Sequence, residues 1–401
     1  MVNDAASVSY EPSYFLHLQP DGAMLVERNS MYYFRLSGTA AQLALLLAKT
    51  KSVEKTAKVW SNINGIPFST EQLVHELNQH PLTESWMQGA LGTLRLTGST
   101  KSYLPISCTL QLTNGCNLFC SFCYASSGKP LEQELAVEDW MEILQKLSAS
   151  GVSDITLTGG EARLAKGFKR IVTTASTLFT NVHLFSNGLY WKEDEIELIS
   201  ALGNIFVQVS VDGSAHKHDK LRGKKGAYIE SMRNIKRLAE RGIPCLIAMT
   251  VNPQNYEDIS AVIQDAALAG AAAFRAGVTL PVGRADNHYF ELDNEQYLYV
   301  DEKLKEAVRN WGDRLLITDW GNEGNDGCND FCTPGYLAWY IRADGEVTPC
   351  QIEGASMGHI LKDSLDDIGT PERLLRAREN ATSCKCIGKV ELPKEADLPF
   401  V

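Results

Sequence analysis

The apolar and polar positions change rhythm twice along the chain. Between Phe15 and Leu36 they fall in short strand-like runs, Phe15–Gln19, Ala23–Glu27 and Met31–Leu36, broken by Pro20-Asp21-Gly22 and a second polar turn. Such runs predict a small β-meander. A helical rhythm follows. Thr39 and Gln42 form a capping-box pair ahead of Leu43, Leu45, Leu46 and Leu47. Ser52 caps a helix carrying Val53, Ala57 and Trp60, and Ser69 with Gln72 forms a second box ahead of Leu73, Val74 and Leu77. Three strands and three helices predict a winged-helix-like module over residues 1–95.

From Cys108 onward the rhythm is a regular exchange of strand and helix. Strand-like runs occur at Thr109–Thr113, Asp154–Thr158, Asn181–Phe185, Ile205–Val211, Cys245–Val251 and Ala272–Gly277. Helical patterns separate them at Val137–Ala149, Lys166–Leu178, Lys192–Leu202, Ala227–Arg241 and Tyr256–Leu268. This is the pattern of βα units and a parallel sheet. The expected fold class is α/β: an open, partial (β/α)6 barrel over residues 104–310, with its chemistry on the loops at the carboxyl ends of the strands. The pattern then breaks. Cys328–Pro334 is turn-rich, Tyr336–Arg342 reads as a strand, and Asp344-Gly345 signals a hairpin into Val347–Cys350. A small third domain over residues 320–401 is expected.

Composition narrows the function. At 401 residues, 44% hydrophobic and 22% charged, the chain has material for two or three ordinary cores. A net charge of −11 argues against a nucleic acid or an anionic membrane as partner. The first hundred residues hold seven Lys/Arg and eight Asp/Glu, with no basic helix. The winged-helix-like module is therefore read as a peptide recognition element rather than a DNA reader. No apolar run approaches the roughly 18 residues needed to cross a bilayer. No basic leader precedes an apolar block, so a cytoplasmic location is expected.

Ten cysteines are too few for a disulfide scaffold, and they cluster. Cys116, Cys120 and Cys123 share one loop after the first barrel strand; Cys328, Cys332, Cys350, Cys384 and Cys386 lie in the last quarter. Three thiolates can hold three corners of a cubane and leave one iron open. The alternative is a zinc knuckle, which would want a fourth Cys or His nearby; none lies close. Further on, Thr158-Gly159-Gly160-Glu161 closes the second strand, where a Gly pair lets a ligand approach the backbone or is merely a turn. Phe185-Ser186-Asn187-Gly188 and Ser210-Val211-Asp212-Gly213 close the third and fourth, and ordinary turn chemistry accounts for both. The run His216, Lys217, His218, Lys220, Lys224, Lys225 reads as a solvated loop whose charge can steer an acidic peptide. No Walker A motif and no GxSxG elbow occur.

CxxxCxxC after a first barrel strand, with Phe122 before the last Cys, resembles the radical S-adenosylmethionine (SAM) enzymes. The resemblance implies that Cys116, Cys120 and Cys123 bind a [4Fe–4S] cluster with one open iron, and that Phe122 meets the adenine. It implies that Gly159, Gly160 and Glu161 bind the methionyl amino group, that Ser186 and Ser210 contact ribose and carboxylate, and that Arg222 binds the carboxylate. Cys332, the spacing to Gly345 and Cys350, and Cys384-Lys-Cys386 resemble the twitch module, a short form of the SPASM domain. One auxiliary cluster, [4Fe–4S] or [2Fe–2S], is expected on Cys332, Cys350, Cys384 and Cys386, with Cys328 spare. Zinc on the same ligands is the alternative.

The whole chain resembles sactipeptide-forming maturases, most closely at Tyr103–Leu112, Cys332–Cys350 and Cys384–Lys389. That resemblance implies a 5′-deoxyadenosyl radical, hydrogen abstraction from an α-carbon of a precursor peptide, and a thioether from a peptide Cys to that carbon, in a Met residue. The partners implied are a precursor peptide whose leader binds the N-terminal module, and a flavodoxin- or ferredoxin-like electron donor. Formylglycine formation, epimerisation or carbon–carbon crosslinking would use the same ligands. A non-catalytic zinc-binding regulator is the reading of another class.

Overall fold

The computed structural model describes residues 14–27, 33–78, 81–89, 94–279, 281–285, 288–318, 334–351 and 354–378. They form two compact units that divide between Leu104 and Pro105.

In the first unit the meander is present as β1 (Tyr14–Gln19), β2 (Gly22–Glu27) and β3 (Tyr33–Leu36), antiparallel in that order. Helices α1 (Gly38–Thr50), α2 (Val53–Asn64), α3 (Thr70–Leu77) and α4 (Pro81–Gly89) follow, and β4 (Arg95–Gly98) returns parallel to β1. Ser52 accepts the Lys55 N–H at the head of α2, and Ser69 with Gln72 completes its capping box at α3. The expected Thr39–Gln42 box is absent. Helix α1 starts at Gly38 behind Ser37, which makes no side-chain cap bond. Its buried stripe is Ala41, Leu43, Ala44, Leu47 and Ala48. That stripe packs with Leu16, Leu25, Leu73 and Trp86 in one apolar core. Helix α4 and strand β4 are additions to the expected three-plus-three pattern, so the sheet runs past residue 95.

His17 ties this sheet to the chain leaving it. Its Nε2–H donates to the Leu104 carbonyl at 2.7 Å, and its Nδ1 faces the Thr97 hydroxyl at 2.9 Å. The ring is fully buried, and burial lowers its pKa from 6.5 to about 4, the Leu104 bond partly opposing. A group whose native pKa is depressed favours folding above its unfolded value and loses that advantage as pH falls. Acid should therefore weaken the first unit between pH 6.5 and about 4, by at most about 3 kcal/mol. Urea midpoints followed by tryptophan emission across that window should drop, and a His17→Gln variant should flatten the fall.

The second unit carries the expected alternation. Its strands are β5 (Ser107–Gln111), β6 (Asp154–Thr158), β7 (Asn181–Ser186), β8 (Ile205–Ser210), β9 (Cys245–Val251) and β10 (Ala273–Val278). The helices between them are α5 (Val137–Ser150), α6 (Phe168–Leu178), α7 (Glu193–Leu202), α8 (Ala215–Arg222) with α9 (Ala227–Glu240), and α10 (Ile259–Ala269). All six strands pair in parallel and in sequence order. Leu110, Ile155, Leu157, Val182, Leu184, Val207, Val209 and Ile247 are almost wholly buried, as a sheet covered by helices requires.

The sheet is wider than six strands. After α11 (Asn294–Trp311), β11 (Leu316–Thr318) pairs parallel to β10. On the opposite edge β12 (Ala338–Ile341) pairs parallel to β5, with Ala338 opposite Ser107 and Ile341 opposite Leu110. The Asp344-Gly345 hairpin then leads to β13 (Glu346–Thr348), and β14 (Gly358–His359) completes ten strands. Two short helices, α12 (Leu365–Ile368) and α13 (Pro371–Arg378), end the described chain. The first part of the expected third domain thus continues the barrel's own sheet.

Candidate active site

Strand β5 runs straight into the cysteine loop. Glu134 gathers its start: the carboxylate accepts the Thr113 hydroxyl at 2.8 Å, the Asn114 N–H at 2.7 Å and the Leu131 N–H at 3.0 Å. Arg284, just past β10, holds its middle, donating to the Cys120 carbonyl at 2.6 Å and the Ser127 carbonyl at 2.8 Å. Cys120 is buried in an apolar group with Leu118, Phe122, Leu221 and Phe290, and Cys116 and Cys123 pack against that group. Burial first, then Glu161, Cys120 and Cys123, push the Cys116 thiol up to about 11 against the opposing pull of the Leu118 backbone. Burial raises Cys120 too, against the opposing pull of Arg222. Bare thiols crowded like this resist ionisation. A bound cation reverses the balance, because metal binding releases the thiol protons.

The end of β6 buttresses this loop. The Gly160 N–H donates to the Thr113 carbonyl at 2.8 Å and the Glu161 N–H to the Gly115 carbonyl at 2.9 Å. A Cβ on Gly160 would lie 2.7 Å from the Asn114 carbonyl oxygen and 2.8 Å from Cys116 Cβ; one on Gly159 would lie 2.7 Å from the Thr113 carbonyl oxygen. The glycines are therefore required by the close approach of the cysteine loop's own backbone, a neighbour the strand-end pattern did not reveal.

Glu161 is a hub. Its buried carboxylate accepts the Ser186 hydroxyl at 2.9 Å, the Asn187 N–H at 2.7 Å and Arg163 Nε at 3.1 Å. Arg163 in turn pairs with Glu195 at 2.7 Å. Ser186 also accepts the Gly188 N–H at 3.1 Å, so its hydroxyl is engaged in shaping the β7 end. Asn187 is the residue that turn chemistry hid. Its Nδ2 donates to Asn117 Oδ1 at 2.6 Å and lies 3.9 Å from Cys116 Sγ. The side-chain amide thus reaches the first cysteine from the end of β7, two strands over from β5, and hydrogen bonds to cluster sulfurs are a recognised control on potential.

At the end of β8, Arg222 Nε pairs with Asp212 Oδ2 at 2.5 Å, both side chains buried. Burial works against the guanidinium charge, but Asp212 and Cys120 outweigh it. Asp212 is itself held by the Thr250 N–H at 2.8 Å. The Arg222 guanidinium lies 5.7 Å from the Phe122 ring centre. Among the described residues its two terminal nitrogens make no hydrogen bond, which leaves them for an incoming carboxylate. Ser210 sits at the same rim, half-buried. The basic run after it is not the solvated loop expected. Its first four members lie in α8, where His216 and Lys220 stay exposed, His218 is fully buried and accepts the Asp212 N–H at 3.1 Å, and Lys217 pairs with Asp258 at 3.0 Å; Lys224 and Lys225 follow the helix. The apolar positions Ala215 and Leu221 are too few to show a helix by periodicity.

Of the expected auxiliary ligands, Cys350 lies among the described residues, just past β13; Cys332, Cys384 and Cys386, and the spare Cys328, lie outside them. Tyr124 links Cys350 to the first site. Desolvation, Cys123 and Cys350 together push its phenol up to about 12, with Tyr340 on β12 and Thr158 on β6 pulling the other way.

These residues fit the groups that the loop pattern implies. Three cysteines on one braced loop match a cluster needing three protein ligands, and the half-satisfied Arg222 suits a ligand carboxylate. The Radical SAM superfamily model matches residues 110–266, and the SPASM model, an iron–sulfur cluster-binding domain, matches residues 332–387. The chain is 57% identical to the sporulation killing factor maturation protein SkfB of Bacillus subtilis, over 97% of this chain and 95% of that one. It is 25% identical to the antilisterial bacteriocin subtilosin biosynthesis protein AlbA of the same organism, over 88% of this chain and 82% of that one. In fold it resembles Streptococcus suis SuiB bound to S-adenosylmethionine, with a TM-score of 0.67 and 15% identity over 91% of this chain and 89% of that one. Among the described residues no helix is long and apolar enough to cross a membrane. Likeness to SkfB along almost the full length of both chains, joined to the braced cysteine loop, places this chain in the radical SAM superfamily, as an enzyme that works with a [4Fe–4S] cluster and SAM and carries a cluster-binding domain behind its barrel.

Proposed function

We propose that the protein joins a Cys sulfur of a ribosomally made precursor peptide to an α-carbon of the same peptide, in a Met residue, as a thioether. The observation that carries this reading is the 57% identity with the sporulation killing factor maturation protein over nearly the whole chain. The likeness to the subtilosin biosynthesis protein, and to SuiB solved with its precursor peptide SuiA, supports a peptide substrate. The separate first unit, near neutral in charge over its first hundred residues, is the natural holder of the peptide's leader.

When bound, the cluster and SAM supply a carbon-centred radical strong enough to take hydrogen from an unactivated C–H bond. The chain's residues prepare for it. Cys116, Cys120 and Cys123 hold the cluster, and the Asn187 amide steadies Cys116. Arg222, fixed by Asp212, grips the SAM carboxylate. The Gly159-Gly160-Glu161 backbone lines the methionyl end, Phe122 walls the adenine side, and Ser210 meets the ribose edge. Ser186 acts through Glu161 as a positioning residue. The buried group around Phe122 and Phe290 keeps water from the radical. One auxiliary cluster, on Cys332, Cys350, Cys384 and Cys386, completes the set.

The peptide loses two hydrogens per crosslink. One would leave the α-carbon as a hydrogen atom and end in the C–H bond of 5′-deoxyadenosine; the other would leave the Cys thiol as a proton, and the remaining electron is what a bound iron–sulfur cluster would be there to accept. Anaerobic incubation with SAM, a reductant and a Cys-containing peptide encoded beside the gene should yield product lighter by two hydrogens per bridge, with fragment ions interrupted between Cys and its acceptor. An unchanged mass with inverted residues would assign epimerisation instead.

A further inference from the structure

The inner face of the barrel sheet takes no part in the chemistry above. Strands β5–β10 lie in sequence order, so right-handed crossovers set every helix on one face and leave the other facing inward. On the helix side Cys108, Ile155, Val182 and Ile205 are buried and paired in one row. The next row, on the inner side, is Thr109, Thr156, His183 and Phe206. Closed barrels fill that space with branched apolar side chains. Here the row is mostly polar, and Phe206 is 40% exposed although its strand lies in the middle of the sheet.

His183 is the reactive member of that row. Its ring stacks on Phe206, centres 5.4 Å and planes 25° apart, which fixes its orientation. Among the described residues neither ring nitrogen makes a hydrogen bond. No other imidazole lies on β5–β10. One row toward the amino ends, Asp154 is held by Asn181 Nδ2 at 2.9 Å and the Ser153 hydroxyl at 2.7 Å. Burial lowers the imidazole from its ordinary 6.5, with Asp154 opposing, so the ring is neutral and can accept a proton at neutral pH. The other ionisable groups on the inner face of β5–β10 and β12 are Arg275 and Tyr340, with Tyr124 of the cysteine loop beside Tyr340.

Thioether closure needs a proton acceptor. The hydrogen atom from the α-carbon ends on 5′-deoxyadenosine; the thiol proton has as yet no destination. We propose that His183 takes the Cys thiol proton of the precursor peptide as the sulfur closes on the α-carbon. The S–H bond breaks and the S–C bond forms. The proton stays on an imidazole nitrogen, and the electron passes to an iron–sulfur cluster. His183 lies three residues before Ser186, the end of β7, and so about 10 Å beneath the rim. A reacting α-carbon under the rim, a sulfur touching it and a hydrogen bond from that sulfur to a base span such a depth. The inference rests on the thioether reading above.

The test uses the reconstituted full-length enzyme with SAM, a reductant and the neighbouring Cys-containing peptide, deuterated at the acceptor α-carbon. Deuterium in 5′-deoxyadenosine counts abstractions, and bridged peptide counts crosslinks. In the wild type the two counts should match across neutral and mildly alkaline pH. His183→Gln and His183→Phe should keep deuterium transfer and peptide affinity but lower crosslinks per transfer about tenfold or more at neutral pH. The shortfall should appear as unbridged peptide with hydrogen in place of deuterium. In both variants the ratio should climb as pH approaches the ordinary thiol pKa of about 8.5, where free thiolate makes a base unnecessary. Wild-type coupling at every pH in either variant would overturn the proposal. So would a loss of deuterium transfer or peptide affinity that matches the loss of crosslinks, the mark of a residue that only shapes the barrel. If the wild-type enzyme transfers deuterium and forms no bridge, the thioether reading itself fails, and the role of His183 with it.

Discussion

Cys120→Ala should reduce 5′-deoxyadenosine formation by at least about 1,000-fold, equivalent to about 4 kcal/mol in the barrier. The substitution isolates the sulfur. Cys120 is 8% exposed, and alanine is close to it in size. The loop's backbone has other anchors: Arg284 holds the Cys120 carbonyl, and Leu221 accepts the Ser121 N–H at 2.9 Å. What remains is a braced loop with two ligands where three are needed. Cys108→Ala is the matched control. That thiol is 2% exposed within β5, and burial drives it far from ionisation. It should cost stability and leave turnover per folded enzyme unchanged. Chromatographic quantification of 5′-deoxyadenosine after anaerobic reconstitution decides the matter; wild-type yield from Cys120→Ala would refute the site.

Gly160→Ala should be nearly as damaging, with no ligand touched. The added Cβ meets the carbonyl oxygen of Asn114 and the Cβ of Cys116 well inside van der Waals contact. Most of what it strikes is backbone, which cannot swing aside as a side-chain tip can. Relief requires parting the β6 end from the cysteine loop, at the expense of the Gly160–Thr113 and Glu161–Gly115 bonds. Overpacking of this kind typically costs about 1–3 kcal/mol. Cys116 moves with the loop and loses the Asn187 amide. We expect iron per chain after reconstitution to fall by more than half and 5′-deoxyadenosine yield by at least about 100-fold, a shift of about 3 kcal/mol. Full iron content with normal yield would show that the loop tolerates the wedge.

These two positions show how unevenly the sequence discloses its structure. The strand–helix exchange was legible because β strands buried on both faces and amphipathic helices leave opposite signatures over ten or more residues. Ser52 and Ser69 announced helix starts because capping is a local event; Thr39 misled because the helix has already begun at Gly38, which puts Thr39 inside the first turn. The grouping of Cys116, Cys120 and Cys123 on one loop was legible by spacing alone. Asn187, Glu134 and Arg284 were not. Each acts on the loop from 20 to 164 residues away, and no local pattern records such a pairing. Strand β11 escaped for another reason: three residues are too short to establish a period. Strand β12 was legible as a strand over Tyr336–Arg342, but its place beside β5 was not, because its partner lies far away along the chain.

The pairing of β12 with β5 fixes what the C-terminal segment can be. A detachable accessory would leave the catalytic core with its edge intact when removed. Here, truncation ahead of Pro334 would strip Ser107–Leu110 of a hydrogen-bonding neighbour along the whole of that edge. The strand that launches the cysteine loop would then stand as a bare template for joining other chains. A shortened enzyme should therefore clump before it could reveal whether the missing cysteines matter, so the tail's redox role has to be probed by single substitutions in the intact polypeptide.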